Sequence, residues 1–272
     1  MTVKIHEQAV VDSKAEIGEN CEIGPFCTIG PNVKIADGTK LVSHVVVDGH
    51  TTIGSNCSIF PFATIGVQSQ DQKYVPGTVT YCEIGSDNVF REFVSIHSGT
   101  EEGTTTVVGN HNAFLAHAHV AHNCKIGDHV VLSHLATVGG HVRVGDYANL
   151  GGLCAVHQFC TVGEVAMVAG FAKVIQDVLP YTIADGTPAA RMRVVNRVGM
   201  ERAGYSEEQI RDVRRAFRIL FVNDMIFAEA IKKVRQDLGH LEYIQKMLTA
   251  ADESKRGLAV PDEKTWEINA GD

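Results

Sequence analysis

From Phe114 to Val174 an aliphatic or aromatic residue returns at every sixth position: Phe114, Val120, Ile126, Leu132, Val138, Val144, Leu150, Val156, Val162, Val168 and Val174. The same period opens the chain, in Ile5, Val11, Ile17, Ile23, Ile29, Ile35, Leu41, Val47, Ile53, Ile59 and Ile65. Six residues fit neither the 3.6 of a helix nor the 2 of a simple strand, so the period marks an internal repeat. Two places before most of these aliphatics stands a small residue, commonly Ala or Cys, and positions i and i−2 share one face of a strand. Glycine often follows the aliphatic, as in Ile17-Gly18, Ile23-Gly24 and Ile53-Gly54, where it is expected to supply the φ of a sharp bend. Each hexad then reads as a short strand and a corner, unable to bury its own inner face. Such units stack into a parallel β-helix. Three hexads close a triangular coil, with coils about 4.8 Å apart, and residues eighteen apart lie on one edge.

The register breaks between Ile65 and Ile84, where polar, turn-rich sequence predicts a protruding loop near 67–82. Loops of this length lean towards function. A second interruption covers Gly99 to Gly103, and Asn88 and Asn112 sit unexplained in the small inward slot. The β pattern stops near Leu179-Pro180, which gives a β-helix over 1–185. Met192, Val195, Val198 and Met200 then take helical spacing, Ser206 with Gln209 forms a capping box for a helix to about Val222, and helices follow around Ile226–Leu238 and Leu241–Ala251. Residues 186–257 are thus expected to be an α-helical domain closing one end of the prism and its open coil edge. Residues 258–272 read as an irregular tail.

Composition narrows the function. A formal charge of −8 argues against bulk nucleic-acid binding. No apolar run approaches the ~20 residues of a membrane span, and Met1-Thr2-Val3-Lys4 has no signal-peptide core, so a cytoplasmic protein is expected. The seven cysteines all occupy the small inward slot and form no C-x-x-C pair, which assigns them to the core rather than to zinc or disulfides.

The histidines carry the chemistry. His122, Gly140 and Gln158 are eighteen apart, His141 and His157 flank the last two, and His119 points outward on the strand leading to that corner. One reading is a general base, with the Gly140 N–H offered to a developing oxyanion. No Ser or Cys nucleophile stands beside these imidazoles, which favours direct transfer over a covalent intermediate. A second reading is zinc held by His117, His122 and a neighbouring chain, as in gamma-class carbonic anhydrases. His129 and His134 are read as solvated.

The segments Gly24-Pro25-Phe26-Cys27, Ser43-His44-Val45-Val46-Val47, Gln70-Asp71-Gln72-Lys73-Tyr74, Ala118-His119-Val120-Ala121-His122-Asn123-Cys124, Gly140-His141, Ala155-Val156-His157-Gln158-Phe159-Cys160 and Asp177-Val178-Leu179-Pro180-Tyr181 resemble the acyl-ACP–UDP-N-acetylglucosamine O-acyltransferase family. The resemblance covers essentially the whole chain up to the tail. It implies a left-handed parallel β-helix and a homotrimer with active sites in the clefts between subunits. It also implies the first step of lipid A synthesis: an (R)-3-hydroxyacyl group passes from acyl carrier protein to the sugar 3-hydroxyl. No metal is implied, and no cofactor beyond the phosphopantetheine of the carrier.

Carried over by position, the resemblance makes His122 the general base and the Gly140 N–H the oxyanion donor. His119, His141, His157 and Gln158 would contact the sugar, phosphates or acyl chain. Asp71 and Lys73 would reach the sugar across the cleft, Asn196 and Arg202 would serve the nucleotide or phosphopantetheine, and Gly170 would admit a long acyl chain. The residue after the base is often Asp in this family and is Asn123 here, able to hydrogen-bond but not to balance an imidazolium charge. Val198 and Ala203 replace polar residues seen in some relatives. A basic run through Lys173, Arg191, Arg193, Arg197, Arg202, Arg211, Arg214, Arg215 and Arg218 suits an acidic carrier protein. A related transferase using a 3-amino sugar nucleotide is the alternative within the scaffold. The sister N-acyltransferase normally carries an extra N-terminal domain, for which hexads starting at Ile5 leave no room.

Overall fold

The structure is a computed structural model and describes residues 2–223 and 225–262. The hexads wind as a left-handed parallel β-helix of three faces. The first face starts at Lys4–Ile5, the second at Val10–Val11 and the third at Glu16–Ile17. Lys4 pairs with Glu22, Val10 with Thr28 and Glu16 with Lys34, so the winding advances one coil per eighteen residues. The repeat aliphatics and the small residues before them fill the prism: Ile23, Ile29, Ile53, Ile59 and Val120 are almost wholly buried, with Cys27, Ala63 and Ala118 beside them. All seven cysteines are buried free thiols. In the middle coils the filling becomes aromatic, where Phe90 stacks on Phe114 at 4.9 Å.

The corners are built differently from the sequence expectation. Gly66 takes a left-handed φ itself, but elsewhere it falls two residues beyond the post-aliphatic position, at Phe26, His44, Asn56, Phe62, His117, Asn123, His141 and Phe159 among others. Gly24 itself is needed for close approach, since a Cβ there would lie 1.8 Å from the Val42 carbonyl oxygen of the next coil. Glycine in this slot lets successive coils touch; the neighbouring residue bears the strained dihedral. Histidine is common at the left-handed corner, which spreads the imidazoles over three edges. His129 stacks between His111 and Tyr147 on the edge joining the third and first faces. His117 and His134 pack together on the edge joining the first and second.

Both interruptions leave from the remaining edge, between the second and third faces. The strand Thr64–Val67 is followed by a loop, 68–80, and by Tyr81–Ile84; the strand Ser95–His97 is followed by a loop, 98–104, and by Thr105–Val108. Across these coils Asn88 and Asn112 replace the usual small apolar residue and hydrogen-bond the backbone. Asn88 Nδ2 donates to the carbonyls of Gly85 and Gly109 at 2.9 and 2.8 Å, and its Oδ1 accepts the Asn112 N–H at 2.8 Å. Asn112 Oδ1 in turn accepts from Val130 N at 2.6 Å. A polar ladder thus runs inside the corner opposite the loops.

The end of the prism corrects the expected boundary at 185. Arg191–Val195 is a strand, antiparallel to Thr182–Asp185, and extends the first face. Met192 is buried and its N–H is given to the Ala259 carbonyl. The spacing of Met192, Val195 and Val198 imitates a helical face, but the available partner is a sheet edge, and pairing there satisfies the backbone. Helices begin at α1 (Arg197–Arg202), followed by α2 (Glu207–Phe221), α3 (Phe227–Leu238) and α4 (Glu242–Asp252). The Ser206–Gln209 capping box opens α2, and Gly239 caps α3. Glu164 fastens this region to the last coils, accepting from Tyr181 and Tyr205 at 2.7 and 2.6 Å and pairing with Lys246 at 2.8 Å. The expected tail starts in an ordered state: Ala259 is buried and its N–H reaches the Asp177 carbonyl. The remainder of that tail from 263 onward lies outside the described residues.

Candidate active site

The edge between the second and third faces gathers the predicted residues. The His141 N–H donates to the His122 carbonyl and the Phe159 N–H to the Gly140 carbonyl, both at 3.0 Å, so the corners carrying His122, Gly140-His141 and His157-Gln158 stack coil upon coil. The His122 ring is nine-tenths buried and lies directly against Gly140, where an added Cβ would sit 2.4 Å from Nε2. Gly140 is thus glycine because the imidazole of the coil above occupies the space of a side chain. Among the described residues its N–H meets no protein acceptor.

His122 is oriented from both ring nitrogens. Nδ1 lies 2.8 Å from Asn123 Oδ1, so in the neutral ring Nδ1 carries the hydrogen and Nε2 keeps the lone pair. Nε2 faces Asp71 Oδ2 at 3.4 Å. Asp71 is held by an Asx turn in which Oδ1 accepts the Lys73 N–H at 2.9 Å, while its own N–H donates to Ser69 Oγ at 3.1 Å. Ser69 Oγ is 2.6 Å from Thr100 Oγ1, so the two inserted loops brace one another. Asp71, expected to reach the sugar across the cleft between subunits, places its carboxylate against the histidine of its own chain. Lys73 is exposed at the loop tip.

Around this pair the imidazoles are kept neutral. His119 Nδ1 lies 2.7 Å from Ser95 Oγ, and its ring meets His97 edge-on at 4.9 Å. Burial, then the neighbouring His119 and His122, push His97 down to about 4. His119 and His141 are lowered too, each chiefly by burial. His141 stands edge-on to His122 at 5.2 Å and stacks on Phe159 at 4.6 Å. Sequence reasoning missed His97, because it directly precedes the second interruption, where the eighteen-residue spacing no longer reports position. Phe159 was visible as the third corner residue of the same stack.

Further along the edge His157 and Gln158 are exposed, and His157 Nδ1 lies 3.3 Å from Arg256 Nη2. Cys124, two residues past His122, is no competing nucleophile: it is buried, it donates to the Gly139 carbonyl, and desolvation pushes its thiol up to about 12. A groove beside the edge has a volume of about 1060 Å³ and is lined by Asn123, Lys125, His141, Arg143, Phe159 and Lys255 among others.

Three candidates lie elsewhere in the chain. Gly170 belongs to the edge between the first and second faces, packed over the Gly152 carbonyl. Asn196 is buried as the N-cap of α1, its Oδ1 accepting from Gly199 and its Nδ2 donating to the Val165 carbonyl. That amide is committed to structure rather than free for a nucleotide. Arg202 is exposed at the end of α1. None of the three meets His122 within one chain. His117 and His122 likewise sit on different edges, so the proposed zinc pair does not converge, and no group of three His, Cys, Asp or Glu side chains among the described residues is placed to hold a metal.

The three-sided prism is wound from hexads on every face, and the profile of the hexapeptide-repeat transferases, "Bacterial transferase hexapeptide (six repeats)", matches residues 14–49. A second profile, "Udp N-acetylglucosamine O-acyltransferase; Domain 2", matches residues 177–259, the stretch bounded by the Asp177–Leu258 bridge. The acyl-[acyl-carrier-protein]–UDP-N-acetylglucosamine O-acyltransferase of Thermodesulfovibrio yellowstonii is 46% identical over 256 residues, covering 94% of this chain and 98% of that protein. The protein of the same name from Akkermansia muciniphila is 50% identical over 194 residues, 70% of this chain and 74% of its own. Among solved structures, the UDP-N-acetylglucosamine acyltransferase of Francisella novicida superimposes with a TM-score of 0.92 at 34% identity, covering 96% of this chain and 95% of that one. The Moraxella catarrhalis enzyme gives 0.89 at 37%, covering 94% and 99%. The chain belongs to the acyl-[acyl-carrier-protein]–UDP-N-acetylglucosamine O-acyltransferase family.

Proposed function

We propose that the protein transfers an (R)-3-hydroxyacyl group from the phosphopantetheine of acyl carrier protein to the 3-hydroxyl of UDP-N-acetylglucosamine, opening lipid A synthesis without further cofactor or metal. The observation that carries this reading is the His122 ring laid over Gly140, with Nε2 outward and an unpaired backbone N–H beside it. His122 Nε2 takes the proton of the sugar hydroxyl as its oxygen bonds to the thioester carbonyl carbon. The carbonyl oxygen becomes an oxyanion and accepts from the Gly140 N–H. Collapse breaks the carbon–sulfur bond, and the departing thiolate takes the proton back from the imidazolium. Asp71, 3.4 Å from Nε2, faces the N–H formed on proton uptake and is near enough to accept from the sugar.

His119, His141, His157 and Gln158 line the approach along the same edge, Lys73 reaches outward from the loop, and Gly170 and Arg202 enter this reading only through a neighbouring subunit. A homotrimer is supported by an exposed apolar row, Phe26, Phe62, Phe93, Leu135, Leu153 and Phe171, along the edge between the first and second faces. The outer side of α2 presents Arg211, Arg214 and Arg218, which form no ion pair among the described residues, as a docking face for an acidic carrier protein. Arg191 and Arg193 pair with Asp262, and Arg197 with Glu201 and Glu207, so that part of the basic run is already balanced. No helix among the described residues is long and apolar enough to cross a membrane, in keeping with a cytoplasmic site.

The test is to incubate the purified protein with a panel of (R)-3-hydroxyacyl carrier proteins and with UDP-N-acetylglucosamine or its 3-amino analogue, reading product masses. An ester of the hydroxy sugar is expected. Product from the amino sugar alone would transfer the assignment to the amino-sugar transferase, and no acyl product from either would overturn it.

A further inference from the structure

We propose that Glu101 is a positioning residue for the base, acting through Asn123; this rests on the reading of His122 as the proton acceptor. An asparagine amide can turn over and present either its oxygen or its nitrogen, and only the oxygen can receive a hydrogen from His122 Nδ1. At Asn123 the choice is made by two groups of the 98–104 loop. The Thr100 N–H, which can only donate, points at Oδ1 at 3.1 Å, and the Glu101 carboxylate, which can only accept, takes Nδ2 at 3.3 Å. The Asn123 backbone is pinned as well, its N–H donating to Thr106 Oγ1 at 2.8 Å. Oδ1 is thereby committed to His122, Nδ1 is the protonated nitrogen, and Nε2 is left as the base.

The same carboxylate adds charge behind the ring. Asn123 itself is neutral, so the imidazolium formed on proton transfer finds its negative partners in Asp71 on one side and in Glu101, one amide removed, on the other. The loop is shaped for this role: the Glu101 carbonyl accepts from Thr104 N and Oγ1 at 3.0 and 2.7 Å, and Glu102 Oε2 accepts the Val79 N–H of the other loop at 2.9 Å. The remaining titratable groups facing His122 are His97 and His119 from the second face and His141 from the next corner, all lowered, with Lys73 bearing on His141. Glu101 and Asp71 bear on His141 as well, against Lys73. Glu101 is solvent-exposed, so its influence is partly screened.

Three variants test this: Glu101→Ala, Glu101→Gln, and Glu101→Ala combined with Asn123→Asp. Loss of a charge-assisted contact that is partly screened should lower kcat about tenfold in Glu101→Ala, with KM for the sugar nucleotide within about twofold. Glu101→Gln keeps an acceptor and should fall between. Asn123→Asp, which presents oxygen in either orientation and carries the charge itself, should restore the rate. Nitrogen NMR of histidine-labelled protein reads the tautomer without any substrate: His122 should be Nδ1–H in the parent and mixed in Glu101→Ala. A parent ring in the Nε2–H form would overturn the proposal whether or not the protein transfers acyl groups. So would wild-type kcat in Glu101→Ala, or a rate loss that Asn123→Asp does not restore. Failure of the parent in the acyl panel alongside the expected tautomers would count against the acyltransferase reading and leave the positioning role standing.

Discussion

His122→Ala should retain the fold and lose at least about 10²-fold in kcat, the usual worth of a positioned general base. The wall at this point does not depend on the imidazole. Val120 and Cys124 fill the interior on either side of the corner, and the His122 carbonyl keeps its hydrogen bond from the His141 N–H whatever the side chain. What disappears is the proposed proton acceptor, together with the partner of Asp71 Oδ2. Steady-state kinetics with acyl carrier protein and UDP-N-acetylglucosamine, beside a thermal unfolding curve, separate the two effects. A folded variant within about threefold of parental kcat would remove the base assignment.

Gly140→Ala should be nearly as damaging, for a steric reason. The new Cβ would lie 2.4 Å from His122 Nε2 and 2.5 Å from Cε1, far inside van der Waals contact, so the ring has to swing away. Leaving its place breaks the 2.8 Å bond from Nδ1 to Asn123 and carries Nε2 from Asp71. Gly140 does not use a left-handed φ, so alanine fits the backbone and the coil should survive. The expected result is a kcat lowered by about 10²-fold or more, comparable to removing an oxyanion donor, with a modest change in Tm. Unchanged kcat would mean that the ring can occupy another position and still work.

Much of this site was legible because the chain repeats. An eighteen-residue winding converts spacing into position, and it places His122, Gly140 and Gln158 on one edge from the sequence alone. The same arithmetic failed wherever the repeat was interrupted. Asp71 sits in a loop with no period, so only its resemblance to a family residue singled it out, and its contact with the His122 of its own chain could not be read. His97 was lost to the second insertion. Asn196 carries polarity that suits a nucleotide, but its buried amide is spent on capping α1 and on the Val165 carbonyl; a side chain's commitments are invisible in one dimension. Gly24 is required for close approach rather than for a bend, because the atom that excludes a Cβ belongs to Val42, eighteen places away, whereas Gly66 does take the left-handed φ. Met192 and Val195 were spaced like a helix, yet an unpaired sheet edge lay within reach and claimed them.

The proposed mechanism turns on one atom receiving the proton, and a crystal structure of the protein with UDP-N-acetylglucosamine bound tests that most directly. The sugar 3-hydroxyl oxygen should lie within about 3.2 Å of His122 Nε2, the reach of a hydrogen bond to a general base, on the side facing Asp71 and the Gly140 N–H. A sugar seated with that hydroxyl on another edge of the prism, or directed at another imidazole of the same edge, would contradict it.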